Sequence, residues 1–158
     1  MSKIDIYTDG SHLDKQNNGR LGCGGVMIVD GKLVDKFSVE LKPTWLVSNY
    51  GSSTVSNPTA EMLGLLTALT QFDIPSGETV TIHADYLGVK SWMEGTWKIK
   101  EPYLKKIKFD IDKIIKKKGL LGKIEYKWVK GHQKASVLDP DAMWNNFVDK
   151  LAKGENVE

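Results

Sequence analysis

At 158 residues, 41% of them hydrophobic and 27% charged, the chain has the composition of an ordinary soluble globular protein rather than a disordered or membrane one. That length fits one domain spanning 1–158, burying about two thirds of its unfolded surface and leaving no room for a second. The single cysteine, Cys23, excludes an internal disulfide and a cysteine-based zinc site, and it reads as a small buried apolar residue in a reducing compartment.

No apolar run is long enough to span a bilayer, and strand-like sequence begins at Lys3 without a basic-then-apolar leader. The expectation is a cytoplasmic protein without membrane contact. Net charge is only +2, but it is unevenly placed. Residues 98–134 hold 13 lysines against Glu101, Asp110, Asp112 and Glu125, an excess of nine positive charges that leaves the remainder seven negative. A basic flank beside an acidic pocket suits a polyanion that binds the first and delivers phosphates to the second.

In chain order, Lys3–Thr8 alternates, with Ile4 and Ile6 on one face and Asp5 and Tyr7 on the other, which predicts a strand ending at Asp9-Gly10. Cys23–Val29 and Lys32–Leu41 predict two more, joined through the hairpin dipeptide Asp30-Gly31. The polar stretch from Lys42 to Pro58 reads as a long loop. Asn57-Pro58, an asparagine cap with proline in the first turn, opens a helix running to about Phe72. Its apolar positions cover most of its circumference, so it is expected to be buried on more than one side. Val80–Ala84 alternates as a fourth strand, and a short helix follows around Tyr86–Met93.

Pro102 opens a helix with apolar positions Leu104, Ile107, Ile111, Ile114 and Ile115, mostly clear of its lysines, and Gly119 closes it. A fifth strand covers Ile124 to Lys130. Asp139-Pro140 caps a final helix carrying Trp144, Phe147, Val148, Leu151 and Ala152. This order predicts an α/β fold: a mixed five-stranded sheet, three strands antiparallel and then parallel ones, flanked by helices, with the first strand central.

Four acids stand in awkward places. Glu61 shares a helical stripe with Leu65, Ala68 and Phe72, where an unpaired charge is costly, and Pro58 three residues earlier rules out a capping box. Asp9 at a strand end reads equally as a turn aspartate, Asp85 as a helix cap, and Asp149 as a solvated helix residue. Together, a sheet built around the first strand can bring them to one end as oxygen ligands for divalent metal, the chemistry of phosphodiester cleavage. His132 ends a strand and enters a polar loop at the rim of such a pocket, where an imidazole suits proton transfer; His12 and His83 have weaker claims.

Taken in order, the motifs resemble a type 1 ribonuclease H over nearly the whole chain. They are Tyr7-Thr8-Asp9-Gly10-Ser11, Ala60-Glu61-Met62, His83-Ala84-Asp85, Trp128-Val129-Lys130-Gly131-His132, and Asn145 with Val148-Asp149-Lys150-Leu151-Ala152. The resemblance implies a ribonuclease H-like fold and an endonuclease cutting the RNA strand of RNA/DNA hybrids to 3′-hydroxyl and 5′-phosphate ends. It implies two Mg²⁺ ions, with Mn²⁺ as a substitute, held by Asp9, Glu61, Asp85 and Asp149. His132 would assist proton movement or product exit, and Gly10, Ser11, Asn57 and Asn145 would contact the substrate of a monomeric enzyme.

Two departures matter. Asn57 is followed by Pro58 and Asp85 by Tyr86-Leu87, where the family often carries paired asparagines and a serine-glutamine pair. In place of the family's tryptophan-rich basic protrusion, Trp92, Gly95 and Trp97 lead straight into one lysine-rich helix, and Trp97 is expected in the core. Lys105, Lys106 and Lys108 are candidates to grip the duplex, against the alternative of a solvated helix face. Two other functions remain open: a catalytically silent nucleic-acid-binding module of the same fold, and a related metal-dependent DNA nuclease.

Overall fold

The computed structural model describes residues 2–13, 19–52, 56–130 and 139–155. Its elements are β1 (Ile4–Leu13), β2 (Arg20–Val29), β3 (Lys32–Leu41), α1 (Pro43–Tyr50), α2 (Asn57–Gln71), β4 (Val80–Ala84), α3 (Leu87–Glu94), α4 (Pro102–Lys117), β5 (Ile124–Trp128) and α5 (Pro140–Ala152). The strands form one mixed sheet in the order β3-β2-β1-β4-β5, antiparallel among the first three and parallel from β1 to β4 to β5. The expected architecture and the central place of β1 both hold.

Alternation along β1 divides the core. Ile4 and Ile6 face the larger cluster, with Met62, Leu65 and Leu69 of α2 and Ile107 and Ile111 of α4. Tyr7 faces the other side, where Val26 and Ile28 of β2 meet Val148 and Leu151 of α5. The sheet is thus sandwiched by α2 and α4 on one face and α5 on the other, and Cys23 is fully buried as expected.

Three local expectations are corrected. The stretch read as a loop contains α1, because Pro43 starts a turn, Gly51 closes it at positive φ, and Leu46 and Tyr50, one turn apart, are buried. The Tyr50 hydroxyl donates to Asp110 Oδ2 on α4 at 2.7 Å, which docks the helix. Residues 53–55 of that stretch lie outside the described residues. The cap of α2 is Ser56, whose Oγ accepts from the Thr59 N–H at 3.3 Å; Asn57 is the first helical residue, and its Oδ1 accepts from the His12 N–H at 2.8 Å. Trp97 is 42% exposed rather than in the core, its ring edge-on to Trp92 at 6.3 Å. It follows the left-handed Gly95 that ends α3, so it leaves the helix before the core is reached.

Candidate metal-binding active site

β1 does not turn at Gly10 but continues pairing with β2 to Leu13, so Asp9 is a strand residue rather than a turn aspartate. Gly10 is what lets α2 approach: a Cβ there would lie 2.2 Å from the Ala60 carbonyl carbon and 2.4 Å from the Glu61 nitrogen. This contact of backbone on backbone carries Glu61 to the end of the central strands. Its Oε1 accepts from the Gly10 N–H at 2.8 Å.

Asp85 follows the last residue of β4, which pairs Ala84 with Thr8, so Asp9 within β1 and Asp85 just past the end of β4 come side by side. One carboxylate oxygen from each of Asp9, Glu61 and Asp85 lies within 4.8 Å of the others. Asp149, from α5, lines the same 360 Å³ pocket, with Gly10, Ser11, Asn57, Tyr86 and Lys153. Its Oδ2 accepts from Lys153 Nζ at 3.0 Å.

Asp9 is 3% exposed and Glu61 4%. Burial first, then the hydrogen bond and charge of Glu61 and the charge of Asp85, push Asp9 up to about 12. Burial also raises Glu61, partly offset by the Asp9 and Gly10 hydrogen bonds. The two act as a pair that retains a proton at neutral pH. Glu61 Oε2 is buried without a hydrogen-bond partner among the described residues. Clustered hard oxygen donors, mutual repulsion and an orphaned carboxylate oxygen together fit a divalent cation, which would relieve all three. Asp9, Glu61 and Asp85 would hold it, with Asp149 beside them.

Not every expected site residue converges. Asn145 is buried in α5 and is absent from the pocket lining. Lys105, Lys106 and Lys108 stand on α4, the first two exposed and the third paired with Asp112 at 2.7 Å. Lys105 and Lys108 line a separate 620 Å³ groove with Lys98, Trp97 and Phe109, whose ring is 67% exposed. Tyr86 links the two: its ring meets Trp92 at 5.6 Å, and Trp92 meets Trp97 at 6.3 Å. His132 lies outside the described residues.

Two pocket residues escaped the sequence reading. Lys153 stands one helical turn beyond Asp149, a spacing that signals an ion pair. Tyr86 stood out only as a departure from the family pattern, yet it forms a wall of the pocket.

A mixed sheet that gathers carboxylates at the ends of its central strands defines a class of α/β protein built around an acidic pocket. Residues 1–156 match the family described as RNase H. The chain is 28% identical over 161 residues to Ribonuclease H of Janthinobacterium sp. (strain Marseille), covering 96% of this chain and all of the relative. It is 29% identical over 171 residues to Ribonuclease H of Verminephrobacter eiseniae, covering 98% and 96%. In fold it is similar to LC11-RNase H1, solved in complex with RNA/DNA hybrid, with TM-score 0.70, 22% identity and coverage of 97% and 96%. RNase H1 of the halophilic archaeon Halobacterium salinarum matches with TM-score 0.65, 19% identity and coverage of 95% and 94%. The chain belongs to the RNase H family and is a hydrolase of that class. Among the described residues no helix is long and apolar enough to cross a membrane.

Proposed function

We propose that this protein cleaves the RNA strand of RNA/DNA hybrids in the cytoplasm, leaving 3′-hydroxyl and 5′-phosphate ends, and that it uses two Mg²⁺ ions, replaceable by Mn²⁺, at Asp9, Glu61, Asp85 and Asp149. The observation that carries this reading is the convergence of three carboxylates within 4.8 Å around an orphaned Glu61 oxygen. Bound divalent cations supply an activated water and balance the charge that develops on the departing 3′ oxygen.

The chain's own residues prepare the pocket. The Gly10 N–H holds Glu61 Oε1 in place, and burial keeps the carboxylates undiluted by water. Lys153 tempers the negative field around Asp149, which eases entry of a phosphodiester. Asn57 spends its carbonyl on the His12 N–H, so its amide N–H₂ is the part to offer a ribose 2′-hydroxyl. Gly10 and Ser11 present the strand edge beside it, Asn145 supports the last helix from within, and His132 receives or returns protons at the rim.

Lys105, Lys106 and Lys108 supply the positive face that grips the duplex backbone, with the exposed Trp97 and Phe109 alongside. The carboxylate set comes from one chain, so a monomer suffices.

The test is cleavage of matched RNA/DNA, RNA/RNA and DNA/DNA duplexes with Mg²⁺ or chelator. Metal-dependent cutting confined to the RNA of the hybrid is expected. Cutting of DNA alone would make this a DNA nuclease, and tight hybrid binding without cutting would make it a silent binding module.

A further inference from the structure

On the α5 face of the sheet, immediately behind the carboxylate pocket, lies a second polar cluster that the hydrolytic reading does not use. Tyr7 and His83 are direct partners across β1 and β4, their rings stacked at 4.1 Å and 9°. Tyr7 stands two residues before Asp9 on β1, and so on the same face, and His83 stands two residues before Asp85, which follows the end of β4. His83 is buried, and its Nε2–H donates to Asp5 Oδ1 at 2.8 Å. Over this pair sits Asp141, in the first turn of α5. Its Oδ1 accepts from the Tyr7 hydroxyl and lies 3.6 Å from His83 Nδ1, and its Oδ2 accepts from Lys127 Nζ of β5 at 2.9 Å.

Hydrogen bonds from β1 and β5 therefore hold one carboxylate at the start of the helix that bears Asp149, while His83 of β4 braces the Tyr7 ring by stacking and makes no hydrogen bond to Asp141. The far end of α5 is held differently: Val148 and Leu151 pack on Val26 and Ile28, and Ser38 Oγ donates to the Leu151 carbonyl at 2.6 Å. Asp149 lies eight residues beyond Asp141, about 12 Å along a rigid helix. Gly22 and Gly24 let the Val148–Ala152 backbone lie directly on β2, which sets the depth of that end, and hydrogen bonds from a phenol and an ammonium to opposite oxygens of one carboxylate fix the start of the helix.

We propose that Tyr7, His83, Lys127 and Asp141 form a positioning network that sets where α5 sits along the sheet, and so how far Asp149 reaches toward Asp9 and Asp85. This rests on the carboxylate pocket being the metal site. None of the four lines that pocket, so they act through Asp149 rather than on the substrate.

The experiment is Mn²⁺ titration by calorimetry of the full chain, with thermal unfolding in EDTA alongside. Tyr7→Phe, which removes only the hydroxyl and keeps the stacked ring, and Asp141→Ala are each expected to weaken Mn²⁺ binding about three- to tenfold. Asp141→Asn, which retains an accepting oxygen, is expected to recover most of that loss. In an Asp149→Asn background Tyr7→Phe is expected to do nothing further, because the side chain being positioned no longer carries a ligand's charge. Wild-type affinity in Tyr7→Phe, or an undiminished effect of Tyr7→Phe in that background, would overturn the network. If Asp141→Ala fails to fold, Tyr7→Phe decides. Wild-type protein that binds Mn²⁺ no better than Asp9→Asn would instead overturn the metal-site reading, and the network's role with it.

Discussion

Asp9 is the residue on which the pocket's electrostatics turn. It keeps a proton in the folded chain at pH values where an unfolded aspartate, with an ordinary value near 3.8, has lost it. The folded state then binds more protons than the unfolded one, so the stability associated with Asp9 is complete below the ordinary carboxylate range and declines as pH rises toward about 12. Asp9→Asn removes the ionisable group, and with it the unfolded chain's gain on losing that proton, without changing volume. It is expected to reduce metal-dependent cleavage to background while raising the unfolding midpoint in EDTA at pH 8, by roughly 2–4 °C per kcal/mol relieved. The gap should narrow as pH approaches 4. A midpoint below wild type at pH 8 would mean that the carboxylate stabilises the empty pocket.

Glu61 was the one acid legible by itself, because a charge on an apolar helical stripe has no surface explanation. Asp85 and Asp149 each had an adequate bland one, and only their company identified them. Tyr86 carried no chemical signal in the sequence, since what makes it a pocket wall is the direction in which β4 ends.

At the scale of elements, the site depends on how closely α2 approaches β1. Gly10→Ala forces a Cβ against the Ala60 and Glu61 backbone, which has no flexible end to yield. The expected destabilisation is about 1–3 kcal/mol by urea unfolding, with a loss of cleavage larger than the stability change alone accounts for, because Glu61 moves with its backbone. Ser56→Ala offers the contrast. It removes the α2 cap away from the carboxylates, and is expected to cost about 1 kcal/mol while leaving kcat near wild type. Equal activity losses in the two would mean that helix stability, rather than the close approach, governs the site.

Most elements were legible because each had its own punctuation: Asp30-Gly31 in the hairpin, Pro102 at the start of α4, Asp139-Pro140 before α5, where Asp139 does accept from the Ala142 N–H. The exception, α1, has only eight residues, with Leu46 and Tyr50 alone marking a buried side. Its helicity comes from docking on α4, through a hydrogen bond between residues 60 positions apart that no local pattern carries.

For the molecule as a whole, the uneven charge becomes a division of surface. The acids gather in a pocket at the strand ends, and the lysines of α4 stand beside a groove reached from that pocket through Tyr86, Trp92 and Trp97. Reversing Lys105 and Lys106 to glutamate is expected to weaken hybrid binding and to flatten its dependence on salt. The log–log slope should fall by up to about 0.9 for each phosphate that is no longer neutralised. Lys108→Glu is expected to do less, because Asp112 already holds that ammonium. An unchanged slope would return these lysines to the role of a solvated face.

Addition of Mg²⁺ should raise the unfolding midpoint of wild type and leave Asp9→Asn nearly unmoved, since a cation that binds only the folded pocket stabilises it by mass action. Equal shifts in both would place the cation elsewhere.

By itself the sequence determined the strands, the principal helices and the central place of β1, and it singled out Glu61 as an acid out of place, because periodicity, turn dipeptides and a charge on an apolar stripe can be read along the chain. Only the tertiary structure decided that Asp9, Glu61 and Asp85 share one pocket, that Trp97 faces out, and that Asp141 is held by residues of two strands. Those depend on how backbones pack, above all at Gly10, and on strand register, which fixes which side chains end up neighbours across the sheet.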